Sequence, residues 1–326
     1  MAQPLLQLLK QRYPALTIDV LAPAWVAPVW QAMQEVNQVH GSTFRHGKLQ
    51  LKERWKMARF LKTLDYDQAY VLPNTLKFAL IPWLAKIPER IGYLGETRYG
   101  LLNVIHHDDK RHPRPMMSFY AALIDKPVAD IKGKFESLHP RLCIDAKAVY
   151  EVLNKWNLVS GKPVIAFAPG AEFGSAKRWP ESHFSSLAAM IIQRYPEVQI
   201  ILLGSVKDSA VCETIHANIP KILNLAGKTS LKEAIALIAG INVLVTNDSG
   251  LMHVASAFDI PVIALYGSTD YRHTPPFSRQ SHIMSLNLEC APCQKRECPL
   301  GHHDCMNRLM PDQVFDELKN IVENIK

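Results

Sequence analysis

At 326 residues the chain exceeds one ordinary core and predicts two domains, and its 48% hydrophobic and 21% charged content is that of a globular, water-soluble protein. No apolar stretch is long enough to span a bilayer and the N-terminus carries no signal-peptide core, so the expected location is the cytoplasm. The formal charge of +7 favours anionic partners, but the basic residues are scattered and form no nucleic-acid module, so a phosphorylated substrate or lipid headgroup fits better than DNA or RNA.

The elements alternate helix and strand, which predicts an α/β fold with parallel sheets covered on both faces. Pro4 to Arg12 reads as a helix and Thr17 to Leu21 as a strand. A basic helix over Lys52 to Leu64 precedes a strand at Ala69 to Leu72, which Pro73-Asn74 stops. A doubly wound domain ordinarily opens on a central strand, whereas Met1 to Leu6 already reads as helix. The expectation is therefore a sequence that starts about twenty residues late. In the second half, strands at Val164 to Ala168, Gln199 to Leu203, Ile241 to Val245 and Val262 to Tyr266 alternate with helices over Phe184 to Arg194, Ser209 to Ala217 and Leu231 to Ala239. The stretch Asn157 to Pro163 predicts the boundary, giving domains over 1–157 and 158–310. An amphipathic helix over 311–326 follows, with Val314, Phe315, Leu318, Ile321, Val322 and Ile325 as its stripe.

The chemistry concentrates in four strand-to-helix turns of the second half, at the edge where open α/β sheets bind ligands. Asn247 to His253 leaves a buried strand and opens a helix; Asp248 or Ser249 can cap it, and Gly250 admits a ligand close to the backbone. Free amides and the helix dipole there make a seat for an anion such as a diphosphate. Pro169 to Pro180 is Gly-rich and delivers Lys177 and Arg178, with Lys177 as a point charge for phosphate. Asp208 suits a ribose hydroxyl or a simple helix cap, and Thr229 or Ser230 caps the helix that follows them.

Taken together, Pro169 to Gly174 with Lys177 to Pro180, Asn224 to Gly227, Thr246 to Val254 and Ala264 to Gly267 resemble the ADP-heptose:lipopolysaccharide heptosyltransferases of glycosyltransferase family 9. In the first half Asp19 to Trp25, Tyr70 to Asn74 and Gly95 to Asn103 carry the same resemblance. It implies a GT-B fold of two Rossmann-like domains facing a cleft, with acceptor on the first and ADP-heptose on the second. It also implies inverting, metal-independent transfer of L-glycero-D-manno-heptose, as the second heptose, to the inner core of lipopolysaccharide. The acceptor would be a heptosyl-Kdo2-lipid A, met at the cytoplasmic face of the inner membrane, and no cofactor is required. Carried over, the donor site falls on Glu172, Phe173, Lys177, Asp208, Thr229, Asp248, Ser249, Gly250 and His253, and the acceptor site on Asn74 and Arg98. The family's catalytic base is an Asp in a Gly-Asp pair after the first strand; no residue here matches it, so the base is expected upstream of Met1. The competing readings are another GT-B sugar-nucleotide enzyme and a nucleotide-sugar-binding form impaired by loss of the base.

Two further features stand apart. Cys290, Cys293, Cys298 and Cys305 crowd together with His302 and His303, which suits either a structural metal knuckle or a loop of reduced thiols. Lys48, Lys52, Arg54, Lys56, Arg59 and Lys62, with Arg98, could meet the phosphates or carboxylates of a lipid headgroup, or form a solvated helix face.

Overall fold

The computed structural model describes residues 1–45, 47–108, 114–127, 138–158 and 161–323. Two compact units divide the chain: Met1–Gln31 with Glu35–Leu138, and Ala32–Gln34 with His139–Lys326.

The first unit runs α1 (Gln3–Arg12), β1 (Asp19–Pro23), α2 (Ala27–Gln31), β2 (Gln38–Ser42), α3 (Leu51–Lys62), β3 (Gln68–Val71), α4 (Leu76–Leu84), β4 (Glu89–Tyr93), β5 (Val104–His106) and α5 (Met116–Ala121). Its described strands form two parallel sheets, β1-β2 and β3-β4-β5. Helix α1 buries Leu5 and Leu9 against Ile91, Tyr93, Phe119 and Leu123, which makes one core layer. The second layer holds α3 and α4 together through Ala58, Leu61, Ile81 and Ala85. Tyr66, just before β3, donates to Asp19 of β1 at 2.5 Å and contacts His40 of β2 at 2.9 Å. Asn37 also donates to Asp19, and these hydrogen bonds hold its carboxyl below the usual range against the opposing effect of burial.

The second unit contains α6 (Ala146–Lys155), β6 (Val164–Ala168), α7 (Glu181–Arg194), β7 (Gln199–Leu202), α8 (Ser209–Asn218), β8 (Leu223–Asn224), α9 (Leu231–Ala239), β9 (Val243–Asn247), α10 (Gly250–Ala257), β10 (Val262–Leu265), β11 (Ser281–Met284), α11 (Asp304–Asn307) and α12 (Pro311–Val322). Its sheet is wholly parallel, in the order β11-β10-β9-β6-β7-β8. Every residue of β6, β9 and β10 is buried, as continuous apolar strands covered on both faces must be. The mixed α/β architecture with parallel sheets is the expected fold class.

Several boundaries differ from the sequence reading. The units divide near residue 138, and α6, placed with the first half by that reading, packs on α9; Val149 and Leu153 fill the space where a Cβ at Gly240 would lie. Part of the expected linker, residues 159–160, lies outside the described residues. Strand β9 begins at Val243 rather than Ile241, because the Ile241 amide closes a turn on Ile238 and pairing begins beyond it. The terminal helix is described to Val322; Val314, Leu318 and Val322 enter the main core, and Ile325 lies outside the described residues.

Candidate functional site

The sheet of the second unit reverses direction between β6 and β9: the chain steps from β6 to β7 on one side and later returns to place β9 on the other. Loops leaving these two strands diverge at their carboxyl ends, and that opening is where open α/β sheets hold ligands. The two most distinctive motifs meet there. Ala168 pairs with Thr246 in the ladder, so Pro169 to Pro180 and Asp248 to Gly250 leave side by side.

Neighbouring contacts lock both turns. Asn247 donates to the Pro169 carbonyl at 2.7 Å and accepts from the Trp179 amide at 3.1 Å, and the Trp179 indole donates to the Leu309 carbonyl at 2.7 Å. Trp179 is thereby fully buried, which aims the preceding Lys177 back toward the sheet edge. The Lys177 ammonium donates to Asp248 at 2.6 Å and lies 5.0 Å from the centre of the Phe173 ring. Thr269, in the turn after β10, donates to the same Asp248 oxygen at 2.8 Å.

This arrangement corrects the expected roles. Asp248 does not cap α10; it is committed to Lys177 and Thr269. Ser249 occupies the N-cap position, but its side chain makes no capping bond, its hydroxyl facing Thr246 at 3.1 Å. The first amides of α10 therefore stay uncapped by side chains. A Cβ at Gly250 would meet nothing within 4 Å, so there is open space beside the first turn of α10. An uncapped helix start beside a nearly buried ammonium is a seat for a phosphate-bearing ligand.

His253 lies one turn into α10, its ring stacked on Phe277 at 6.2 Å and its Nδ1 buried without a hydrogen-bond partner among the described residues. Burial holds its pKa down to about 4. The imidazole is thus neutral at pH 7 and offers a ligand a single N–H rather than a positive charge.

The remaining expected donor residues line the same sheet edge, because β6, β7, β8 and β9 are all parallel. Asp208 follows β7, but one carboxylate oxygen is taken by the Ser205 amide and hydroxyl at 2.8 and 2.7 Å. Its other oxygen rests on Gly170, where a Cβ would come within 2.2 Å of it, so the glycine is required for close approach of the two turns. Ser230, not Thr229, caps α9 in a reciprocal box with Glu233; the half-buried Thr229 hydroxyl keeps no partner among the described residues. Glu172 is exposed and paired with Lys207 at 2.6 Å, which lowers its pKa.

In the first unit the structure brings Asn74 and Arg98 together but turns neither Arg98 nor Arg54 to solvent. Arg98 is fully buried and donates to the Pro73 carbonyl at 2.8 Å, with Asn74 Oδ1 at 3.4 Å. Arg54 is likewise enclosed: it donates to the Leu49 and Lys77 carbonyls and lies over the Phe44 and Phe78 rings. Burial lowers the pKa of both. Each is a loop anchor rather than a headgroup contact. Lys48, Lys52, Lys56, Arg59 and Lys62 are exposed, as are Leu51, Trp55 and Phe60 among them.

Sequence reasoning missed three contributors: Thr269, Asn247 as a tie between turns, and Arg296. The Arg296 carbonyl accepts from the Ala176 amide at 3.0 Å, and its guanidinium lies 5.5 Å from the Phe173 ring centre. Gly174 makes that approach possible at φ 155°, since a Cβ there would come within 2.2 Å of the Arg296 oxygen. The Gly in Phe173-Gly174-Ser175 was the available signal; its partner, over a hundred positions away, was not.

Comparison with known proteins gives a consistent picture. Residues 54–303 match the family model for Glycosyltransferase family 9 (heptosyltransferase). Lipopolysaccharide heptosyltransferase 2 of Escherichia coli K12 is 39% identical over 330 aligned residues, covering 99% of this chain and 94% of its own. Its counterpart from Salmonella typhimurium LT2 is 40% identical with the same coverage. The solved structure of E. coli ADP-heptose lps heptosyltransferase II superposes with a TM-score of 0.85 at 37% identity, over 99% of this chain and 94% of that one.

Proposed function

The chain belongs to glycosyltransferase family 9, the heptosyltransferases, and from that membership we propose that it transfers L-glycero-D-manno-heptose from ADP-heptose to the inner core of lipopolysaccharide, as its second heptose. It is a glycosyltransferase. The observation that carries the donor assignment is the meeting of Lys177 with the open start of α10 at the strand-order reversal. Glycosyl transfer leaves negative charge on the departing diphosphate, so pre-placed donors act most strongly on the leaving group. An ammonium carries three N–H donors; one serves Asp248 and the others face the diphosphate. Asp248 and Phe173 are positioning groups for that ammonium. Gly250 lets a phosphate oxygen reach the α10 amides, and the neutral His253 donates to a phosphate or sugar oxygen. Thr229 and the turn holding Asp208 lie at the adjacent strand ends and suit the nucleoside.

The acceptor, a heptosyl-Kdo2-lipid A, falls to the first unit in this reading. No helix among the described residues is long and apolar enough to cross a membrane. The outward side of α3 instead combines Lys52, Lys56, Arg59 and Lys62 with exposed Leu51 and Trp55. Such a basic, amphipathic surface suits peripheral contact with the anionic cytoplasmic leaflet, where the acceptor's lipid portion resides.

Incubation with ADP-heptose and heptosyl-Kdo2-lipid A tests the reading. The expected products are ADP and an acceptor heavier by one heptosyl group. ADP release that is indifferent to the acceptor, with no change in acceptor mass, would remove the assignment.

A further inference from the structure

The loop between β11 and α11 brings three cysteines, Cys290, Cys293 and Cys298, to the wall of one small cavity, and Cys305 in α11 completes it. None of the four is in a disulfide. The cavity measures about 20 Å³, room for one water or one bare ion. Ser268 and His303 also line it, and both Ser268 Oγ and His303 Nε2 are buried without a hydrogen-bond partner among the described residues. The Gly301 amide donates to the Cys298 carbonyl at 3.2 Å, closing a turn at the cavity wall. Cys305 is seated against the backbone just past β10, where a Cβ at Gly267 would come within 2.9 Å of its sulfur. Four free thiols and two orphaned polar atoms gather around this one small space.

No three His, Cys, Asp or Glu side chains among the described residues already stand as a finished metal-holding set. Binding would require side-chain rotation to bring the four sulfurs onto one point. Four thiolates on a Cys-x2-Cys knuckle and two later cysteines select a tetrahedral, sulfur-loving ion over magnesium or calcium.

We propose that Cys290, Cys293, Cys298 and Cys305 bind one divalent ion of the zinc class as a tetrathiolate, stapling residues 290–305 against the Gly174–Lys177 turn. Binding forms four metal–sulfur bonds and releases the four thiol protons to solvent; no redox change is involved. Lys295 and Arg296, inside the loop, offset the charge of the resulting dianion. The staple is structural. It fixes the loop whose Arg296 carbonyl receives the Ala176 amide and whose Gln294 amide donates to the Ser268 carbonyl at 2.7 Å.

Metal analysis of the full chain, purified reduced and without chelator, tests the site. The expected content is about one zinc-class ion per chain, falling to below roughly a tenth in the Cys290→Ser/Cys298→Ser double variant and unchanged in Cys143→Ser. Metal-stripped wild-type protein titrated with cobalt(II) gives a reading that does not depend on the variant folding. It should develop thiolate-to-cobalt charge transfer and tetrahedral d–d bands that saturate at about one equivalent. Binding should also shield these four thiols from alkylation, leave Cys143 reactive, and slow amide exchange over residues 173–178 several-fold. Iron in place of zinc, on the same four sulfurs, would keep the tetrathiolate site and change the ion. Metal below roughly a tenth of an equivalent with no cobalt bands, or content unchanged in the double variant, would overturn the site.

Discussion

The Lys177 ammonium and the Asp248 carboxylate meet at 2.6 Å across the reversal in strand order, and both side chains are nearly buried, at 13% and 8% exposure. The pair joins the turn after β6 to the turn after β9, so donor binding and local stability share one contact. Lys177→Ala should therefore weaken ADP binding about tenfold or more, the loss of a charge-assisted hydrogen bond. It should also destabilise the second unit by roughly 3–5 kcal/mol, because Asp248 is left uncompensated. Asp248→Asn keeps the shape and the Thr269 contact and should cost less in both. Calorimetry with ADP and thermal melting separate the two effects; wild-type ADP affinity in Lys177→Ala would refute the seat.

His253 makes the second unit acid-sensitive. Its folded pKa of about 4 lies below the ordinary 6.5, so between these values the unfolded chain binds the extra proton and the folded chain does not. Its contribution is fully present above pH 6.5 and is lost as pH falls toward 4. His253→Phe, which can keep the stack on Phe277, should flatten the fall in melting temperature over that window. An unchanged pH profile in the variant would assign the acid sensitivity to other groups.

Gly174→Ala should act through the backbone, changing no charge. A methyl group there meets the Arg296 carbonyl at 2.2 Å in a backbone region that favours glycine, so the 290–305 loop must move away from the donor turn. The expected result is a loss of about 1–3 kcal/mol in stability and faster amide exchange at Ala176. Exchange at Ala176 that matches wild type would show that the loop does not hold the turn.

Buried and exposed cations of the first unit should separate cleanly. Arg98→Ala removes a fully buried guanidinium and the donor to the Pro73 carbonyl, so melting temperature should drop by several degrees. Lys56→Glu with Arg59→Glu should leave melting nearly unchanged but lower sedimentation with phosphatidylglycerol vesicles several-fold. Equal vesicle binding by wild type and the double variant would remove α3 as the membrane contact.

Much of the second sheet was legible in the sequence. Val164 to Ala168 and Val262 to Leu265 are unbroken apolar runs, and a strand covered on both faces leaves no other pattern. The cap of α9 is a local signal, which narrowed it to Thr229 or Ser230; the structure chose Ser230, boxed with Glu233. The two-residue β8 and three-residue β5 were not legible, since strands so short are held by neighbours rather than by their own residues. Arg54 and Arg98 look in sequence like any other cations. Only the folded chain wraps them in carbonyls and aromatic rings.

The sequence by itself determined what local chemistry can encode: alternating strands and helices, turns with glycine and cap residues at their proper spacing, and four cysteines close together in the chain. Tertiary structure alone decided which of these meet. Lys177 and Asp248 are 71 positions apart, and Gly174 reaches Arg296 from farther still. Their contacts exist because the sheet order places β6 beside β9 and folds the later loop over both. Side-chain identity sets which bonds are possible; the long-range pairing of strands chooses the partners, including the ion pair that turns a supposed helix cap into the anchor of a cationic site.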